Sequence, residues 1–121
     1  MKLATGVDLI EISRIEEVIA RHGKHYLDRI YTSAEQDYCG RRIESLAGRF
    51  AAKEAVVKTL GCGIGDVSWR EVEILGDEQN APVLTLHGAA AQKASELGLT
   101  TWSVSISHSQ SHCVAFVVAI G

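Results

Sequence analysis

The chain has 121 residues, a mass of 13.1 kDa, 46% hydrophobic and 22% charged side chains, and a formal charge of −3 at neutral pH. These values suit one globular domain over residues 1–121 and leave little for a second. A slightly acidic chain without a basic excess argues against a general nucleic-acid binder or a membrane-surface protein.

Leu3 to Ile12 alternates, with Ala4, Gly6, Asp8, Ile10 and Ile12 on one face and Leu3, Thr5, Val7, Leu9 and Glu11 on the other, which predicts a strand. Ser13 and Glu16 then read as a capping box opening a helix marked by Ile15, Val18, Ile19, His22 and Tyr26, loosened at Gly23. Thr32 and Ser33, with Glu35 and Gln36 three residues on, predict a second helix stopped by Gly40, and Ile43 to Leu60 a third, ended by Gly61 and Gly63. The pattern turns to β at Trp69 to Leu75 and Val83 to His87, around a turn-rich Gly76 to Pro82. An Ala-rich helix closed by Gly98 and two last strands, Thr101 to His108 and Cys113 to Ile120, complete the chain. Helices mostly early and strands mostly late predict an α+β fold, with a largely antiparallel sheet packed against a long helix.

The charges are unevenly placed. Residues 1–60 hold ten of the twelve Lys and Arg and nine of the fifteen Asp and Glu, so an anionic partner is expected on the first half. Leu97 to Gly121 carries no charge, yet its Ser, Thr, His and Gln interrupt it too often for a membrane span, so it is expected to be buried in protein. Cys39, Cys62 and Cys113 are odd in number and lack CxxC or CxxH spacing, which predicts free thiols in a reducing cytosol and no structural zinc. The N-terminus has no signal-peptide pattern, and a cytoplasmic location is expected.

On a helical wheel of about 100° per residue, Leu46, Ala47, Phe50 and Val57 form one apolar arc with Glu54 near its centre. A carboxylate there needs a partner: Lys58 one turn on, a metal, or a catalytic role. Asp8 is likewise the one charge on a face of Ala, Gly and Ile. Two such carboxylates are too few for a calcium cage but suit Mg²⁺, which keeps waters and takes phosphate oxygens. Arg41, Arg42, Arg49, Lys53 and Lys58 surround Glu54 in sequence and read on pattern as a solvated helix face. Ser103, Ser105 and Ser107 alternate with Trp102, Val104, Ile106 and His108, giving a hydroxyl face whose end could bind phosphate. The lack of G-x-S-x-G disfavours a Ser/His hydrolase.

Gly6-Val7-Asp8-Leu9-Ile10-Glu11-Ile12-Ser13-Arg14-Ile15, Ala47-Gly48-Arg49-Phe50-Ala51-Ala52-Lys53-Glu54-Ala55 with Lys58, Gly61-Cys62-Gly63-Ile64-Gly65 and Ser105-Ile106-Ser107-His108-Ser109 together resemble the holo-[acyl-carrier-protein] synthases. The resemblance spans the whole chain, with small departures at Val7, Cys62 and Asn80-Ala81-Pro82. It implies a 4′-phosphopantetheinyl transferase that moves the phosphopantetheine arm of coenzyme A onto a serine of apo acyl carrier protein, releases adenosine 3′,5′-bisphosphate and supports fatty acid biosynthesis. It further implies a homotrimer with sites between subunits. Asp8 and Glu54 would then hold Mg²⁺, with Mn²⁺ as the alternative, and Glu54 and Lys58 would be catalytic. Arg41, Arg42, Arg49, Lys58, Gly61, Pro82, Ser107 and His108 would bind coenzyme A, with the Gly76 to Pro82 loop near the adenine. Arg14, Arg21 and Lys24, on the helix after Ser13, would face the acidic carrier. A non-catalytic trimer sensing coenzyme A or a nucleotide is the alternative.

Overall fold

A computed structural model of the chain describes residues 1–121. β1 covers Leu3–Glu11 with the expected alternation: Ala4, Gly6, Asp8 and Ile10 turn inward, and Leu3, Thr5, Val7, Leu9 and Glu11 are exposed. The following helix does not start on the Ser13 box. α1 spans Ile12–His22 with Glu11 at its cap position and no side-chain cap bond. β1 stays paired to the last strand through Glu11↔His112, and Ile12 N donates to Ser111 O at 2.9 Å. Pairing to the segment before the last strand thus satisfies one of the free N–H groups at the helix start and fixes where the strand ends, and Ser13 lies inside the first turn.

The helix predicted to continue past Gly23 is two helices. Gly23 has φ 55, a conformation that favours glycine, and α2 (Lys24–Ile30) leaves from it. α3 (Ser33–Cys39) begins on a complete Thr32–Glu35 capping box and stops at Gly40, as the sequence predicts. α4 (Ile43–Thr59) follows. The strand expected from Trp69 starts three residues later, because Ser68 and Glu71 close a capping box over a 3₁₀ turn at Trp69–Glu71. β2 (Val72–Gly76) and β3 (Pro82–Leu86) form an antiparallel hairpin, α5 (Gly88–Leu97) ends on a left-handed Gly98, and β4 (Thr101–His108) and β5 (His112–Ile120) complete the chain.

The main sheet is antiparallel in the order β1-β5-β4, so the last strand is its centre. α4 lies across its inner face, where Ala47, Ala51, Ala52 and Ala55 join Cys113, Ala115 and Val117 in the core. The β2–β3 hairpin and α3 cover another side of α4, which is therefore buried nearly all round. The outer face of the sheet is open: it is largely apolar along β1 and β5, with Leu3 69% and Leu9 65% exposed beside Val7 and Phe116, and carries the exposed hydroxyls of Ser103, Ser105 and Ser107 along β4. Cys39, Cys62 and Cys113 are unpaired, and no helix is long and apolar enough to cross a membrane.

Candidate active site

Gly6 sets where α4 meets β1. A Cβ on Gly6 would run into Ala55 O and Thr59 Oγ1, atoms joined to each other by a 2.8 Å hydrogen bond from the threonine hydroxyl. With the backbones this close, Asp8, two residues on and on the same face, arrives at the C-terminal half of α4. Lys58 Nζ donates to Asp8 Oδ1 at 3.1 Å and to Val7 O at 3.0 Å. Lys58 therefore reaches across to β1 and makes no ion pair with Glu54, one turn before it.

Glu54 and Asp8 line one cavity of about 410 Å³ with Lys58 and Arg14, while Ile15, Val18, Tyr26 and Phe50 supply its apolar wall. Burial, and then the negative charge of Asp8, push the Glu54 carboxyl above the usual glutamate range, against the opposing pull of Lys58. Tyr31 gives its proton to Leu46 O at 2.8 Å, so Tyr26 is the donor in the 3.3 Å bond between the two hydroxyls and offers any ligand only an acceptor. No group of three or more His, Cys, Asp and Glu side chains gathers into a metal cage. The cavity instead has two carboxylates from two different elements, a donor set that fits a hard cation taking its remaining ligands from water and phosphate.

The other expected site residues lie elsewhere. Ser107 and His108 are exposed at the end of β4, on a separate cavity of about 270 Å³ with Ser109, His112 and Val114, and His108 Nδ1 lies 3.2 Å from Ser109 O. Within one chain they do not join Asp8 and Glu54, although Leu9 borders both cavities. Arg42 donates to the carbonyls of Cys39 and Tyr38 and lies over the Tyr38 ring, whose hydroxyl donates to Asn80 Oδ1 at 2.8 Å. Tyr38 thus joins Arg42 to the loop that ends at Pro82. Arg41 is exposed, and Gly61 follows α4 at φ 68 beside Lys2 and Leu97. Of the basic residues on α1 and α2, Arg14 and Arg21 are exposed, while Lys24 is held by Asp28 at 2.8 Å and Gln36 at 3.2 Å.

The reading of Arg41 to Lys58 as a solvated face fails at two positions. Arg49 is buried, lies over the Tyr38 ring and donates to Ile74 O and Leu75 O at 3.3 and 3.4 Å, so its charge serves the junction of α4 with β2. Lys53 is fully buried and paired with a fully buried Glu35 at 2.8 Å. A cation with no exposed surface needs such partners. Phe50 stacks on Trp69 with ring centroids 5.0 Å apart, which holds one wall of the cavity.

The 4′-phosphopantetheinyl transferase superfamily model matches residues 4–117. A holo-[acyl-carrier-protein] synthase of Herpetosiphon aurantiacus is 49% identical over 98% of this chain and 99% of its own. The crystal structure of the Helicobacter pylori holo-[acyl-carrier-protein] synthase in complex with coenzyme A is 33% identical, with a TM-score of 0.88 over 96% of this chain and 99% of that one. The Neisseria meningitidis holo-[acyl-carrier-protein] synthase is 34% identical, with a TM-score of 0.88 over 98% of each chain. With its fold and its motifs in agreement over nearly its whole length, the chain belongs to the 4′-phosphopantetheinyl transferase superfamily.

Proposed function

We propose that this protein transfers 4′-phosphopantetheine from coenzyme A to a serine of apo acyl carrier protein, in a Mg²⁺-dependent reaction that serves fatty acid biosynthesis in the cytoplasm. The meeting of Asp8, Glu54 and Lys58 in one cavity carries this reading. The relatives named as holo-[acyl-carrier-protein] synthases and the coenzyme A complex of a similar fold support it.

Asp8 and Glu54 would hold the cation, and Arg14 stands at the same cavity. When bound there, Mg²⁺ supplies charge neutralisation for the pyrophosphate. Lys58 spends two of its three protons on Asp8 and Val7 and keeps a third for a phosphoryl oxygen, where it offsets charge as the transition state forms. The carrier serine Oγ attacks the phosphorus that bears the pantetheine arm. A new O–P bond forms as the P–O bond to the adenosine 3′,5′-bisphosphate leaving group breaks, and the serine proton is released. Ile15, Val18 and Phe50 limit water on one side of the reacting groups.

A homotrimer built on the outer sheet face completes the proposal. That face presents Leu3, Val7, Leu9 and Phe116 to solvent and has no cover from its own chain. Leu9 links it to Ser107 and His108, so a neighbour packed there could bring its own Ser107 and His108 toward Asp8 and Glu54. The test is incubation with coenzyme A, Mg²⁺ and apo acyl carrier protein, followed by intact mass of the carrier. Gain of one phosphopantetheine is expected, and an unmodified carrier would leave a coenzyme A sensor as the better reading.

A further inference from the structure

We infer that the buried Lys53–Glu35 pair is a positioning device for the candidate site, setting the rotation of α4 so that Glu54 faces Asp8 and fixing the cavity wall beside it. The inference rests on the transfer reading above. α4 meets the sheet largely through alanines, which allow close approach but offer few knobs to resist rotation about the helix axis. Lys53 precedes Glu54 and leaves the helix about 100° away from it, so fixing one fixes the other.

The Lys53 ammonium is bound by three oxygens from separate parts of the fold: Glu35 Oε1 on α3 at 2.8 Å, Trp69 O in the 3₁₀ turn at 3.0 Å, and Val72 O at the start of β2. Three acceptors at fixed positions triangulate the ammonium, where one would let it swing. Glu35 is equally committed. It takes Thr32 N at 2.9 Å with the oxygen that meets Lys53, and Ile74 N at 2.8 Å with the other. The same link reaches the cavity wall, because Trp69, whose carbonyl Lys53 holds, stacks on Phe50. A buried ion pair adds little net stability over an apolar replacement, and its best-attested use is to fix register.

The experiment compares wild type, Lys53→Gln and Glu35→Asp well below each melting midpoint, with folding checked by circular dichroism. Mn²⁺ binding in the presence of coenzyme A is read from the free-ion paramagnetic resonance signal, and kcat and KM for the carrier from transfer. Lys53→Gln is expected to weaken Mn²⁺ binding and lower kcat by about 10-fold to 100-fold, the range for residues that orient metal ligands, with KM for the carrier unchanged. Glu35→Asp keeps both charges but withdraws the carboxylate by one methylene, and is expected to shift both readouts the same way by less. Should Lys53→Gln fail to fold, Glu35→Asp decides alone. A folded variant with a lower melting temperature but wild-type Mn²⁺ affinity and kcat would overturn the inference. Wild type that binds Mn²⁺ and coenzyme A without transfer would sink the transfer reading alone, leaving the positioning claim to the Mn²⁺ comparison. Wild type that binds no Mn²⁺ would overturn both the metal assignment and the positioning claim.

Discussion

Gly6→Ala should separate α4 from β1 and damage both stability and turnover. The added methyl meets Ala55 O and Thr59 Oγ1. The threonine hydroxyl can rotate away, but the Ala55 carbonyl is helix backbone, so relief requires the helix to move. Overpacking of this kind costs about 1–3 kcal/mol. At roughly 4 °C per kcal/mol for a chain of this size, the melting temperature should fall by about 4–12 °C. Lys58 Nζ lies 3.1 Å from Asp8 Oδ1, so a lift of about 1 Å breaks that contact, and a misplacement of this size can cost about 100-fold in rate. Scanning calorimetry reads the first effect, and intact-mass timing of carrier modification below both melting points reads the second. Gly6→Ala/Thr59→Ala should not recover, because the carbonyl clash remains. A wild-type melting point and rate for Gly6→Ala would refute the close approach as the feature that places the site, and recovery in the double variant would put the obstruction on the Thr59 hydroxyl alone.

Four further outcomes are expected. Burial and then the Asp8 charge raise the Glu54 pKa, so the folded state holds its proton more tightly than the unfolded chain and loses stability as pH rises from 4.5 toward that raised value; in EDTA the melting-temperature advantage of Glu54→Gln over wild type should grow from acid to neutral pH, and a constant difference would count against the raised pKa. Asp8→Ala and Glu54→Ala should stay folded and lose Mg²⁺-dependent transfer, and near wild-type turnover at low Mg²⁺ in either would remove that residue from the metal site. Reversing Arg21 to Glu should raise KM for the carrier and not for coenzyme A, by a factor that shrinks with added salt, whereas Arg14, which lines the cavity of Asp8 and Glu54, should affect both substrates when reversed; equal effects of the Arg21 reversal on both would move the carrier surface elsewhere. Exchange of inactive Glu54→Ala chains with inactive His108→Ala chains should restore some activity if sites span subunits, and no recovery after confirmed exchange would place each site within one chain.

Asp8 was legible because strand alternation isolates it, and Glu54 because it interrupts an apolar arc; both signals are local periodicities of one element. The Lys53–Glu35 pair was not, since its members are 18 residues apart and a basic run on a helix normally faces water. Its one trace in the sequence is the Thr32–Glu35 capping pattern, which by itself marks only a helix start, although Glu35 also reaches Lys53 and β2. Helix boundaries were legible where local chemistry set them, as at Thr32 and Gly98, and missed where tertiary pairing did, as at Ile12, where Ser111, just before β5, supplies the hydrogen bond. The break at Gly23 was visible only as a weakness, because glycine permits a left-handed turn without requiring one.

The central position of β5 has a consequence for synthesis. Asp8, Glu54 and Lys58 all emerge in the first half of the chain, yet β1 and β4 share no hydrogen bonds, and β1 has no partner until His112–Ile120 is made. At about 5–20 residues per second, the N-terminal half waits on the order of 3–12 s for the strand that closes its sheet. During that interval the part of α4 that packs on β5 and β4 has no strand to cover it, so the nascent chain presents a chaperone with apolar surface until its last strand is released. A chain cut before Cys113 would retain every residue assigned to metal and lysine chemistry and still have no main sheet, since the missing strand is the one to which both neighbours are bonded.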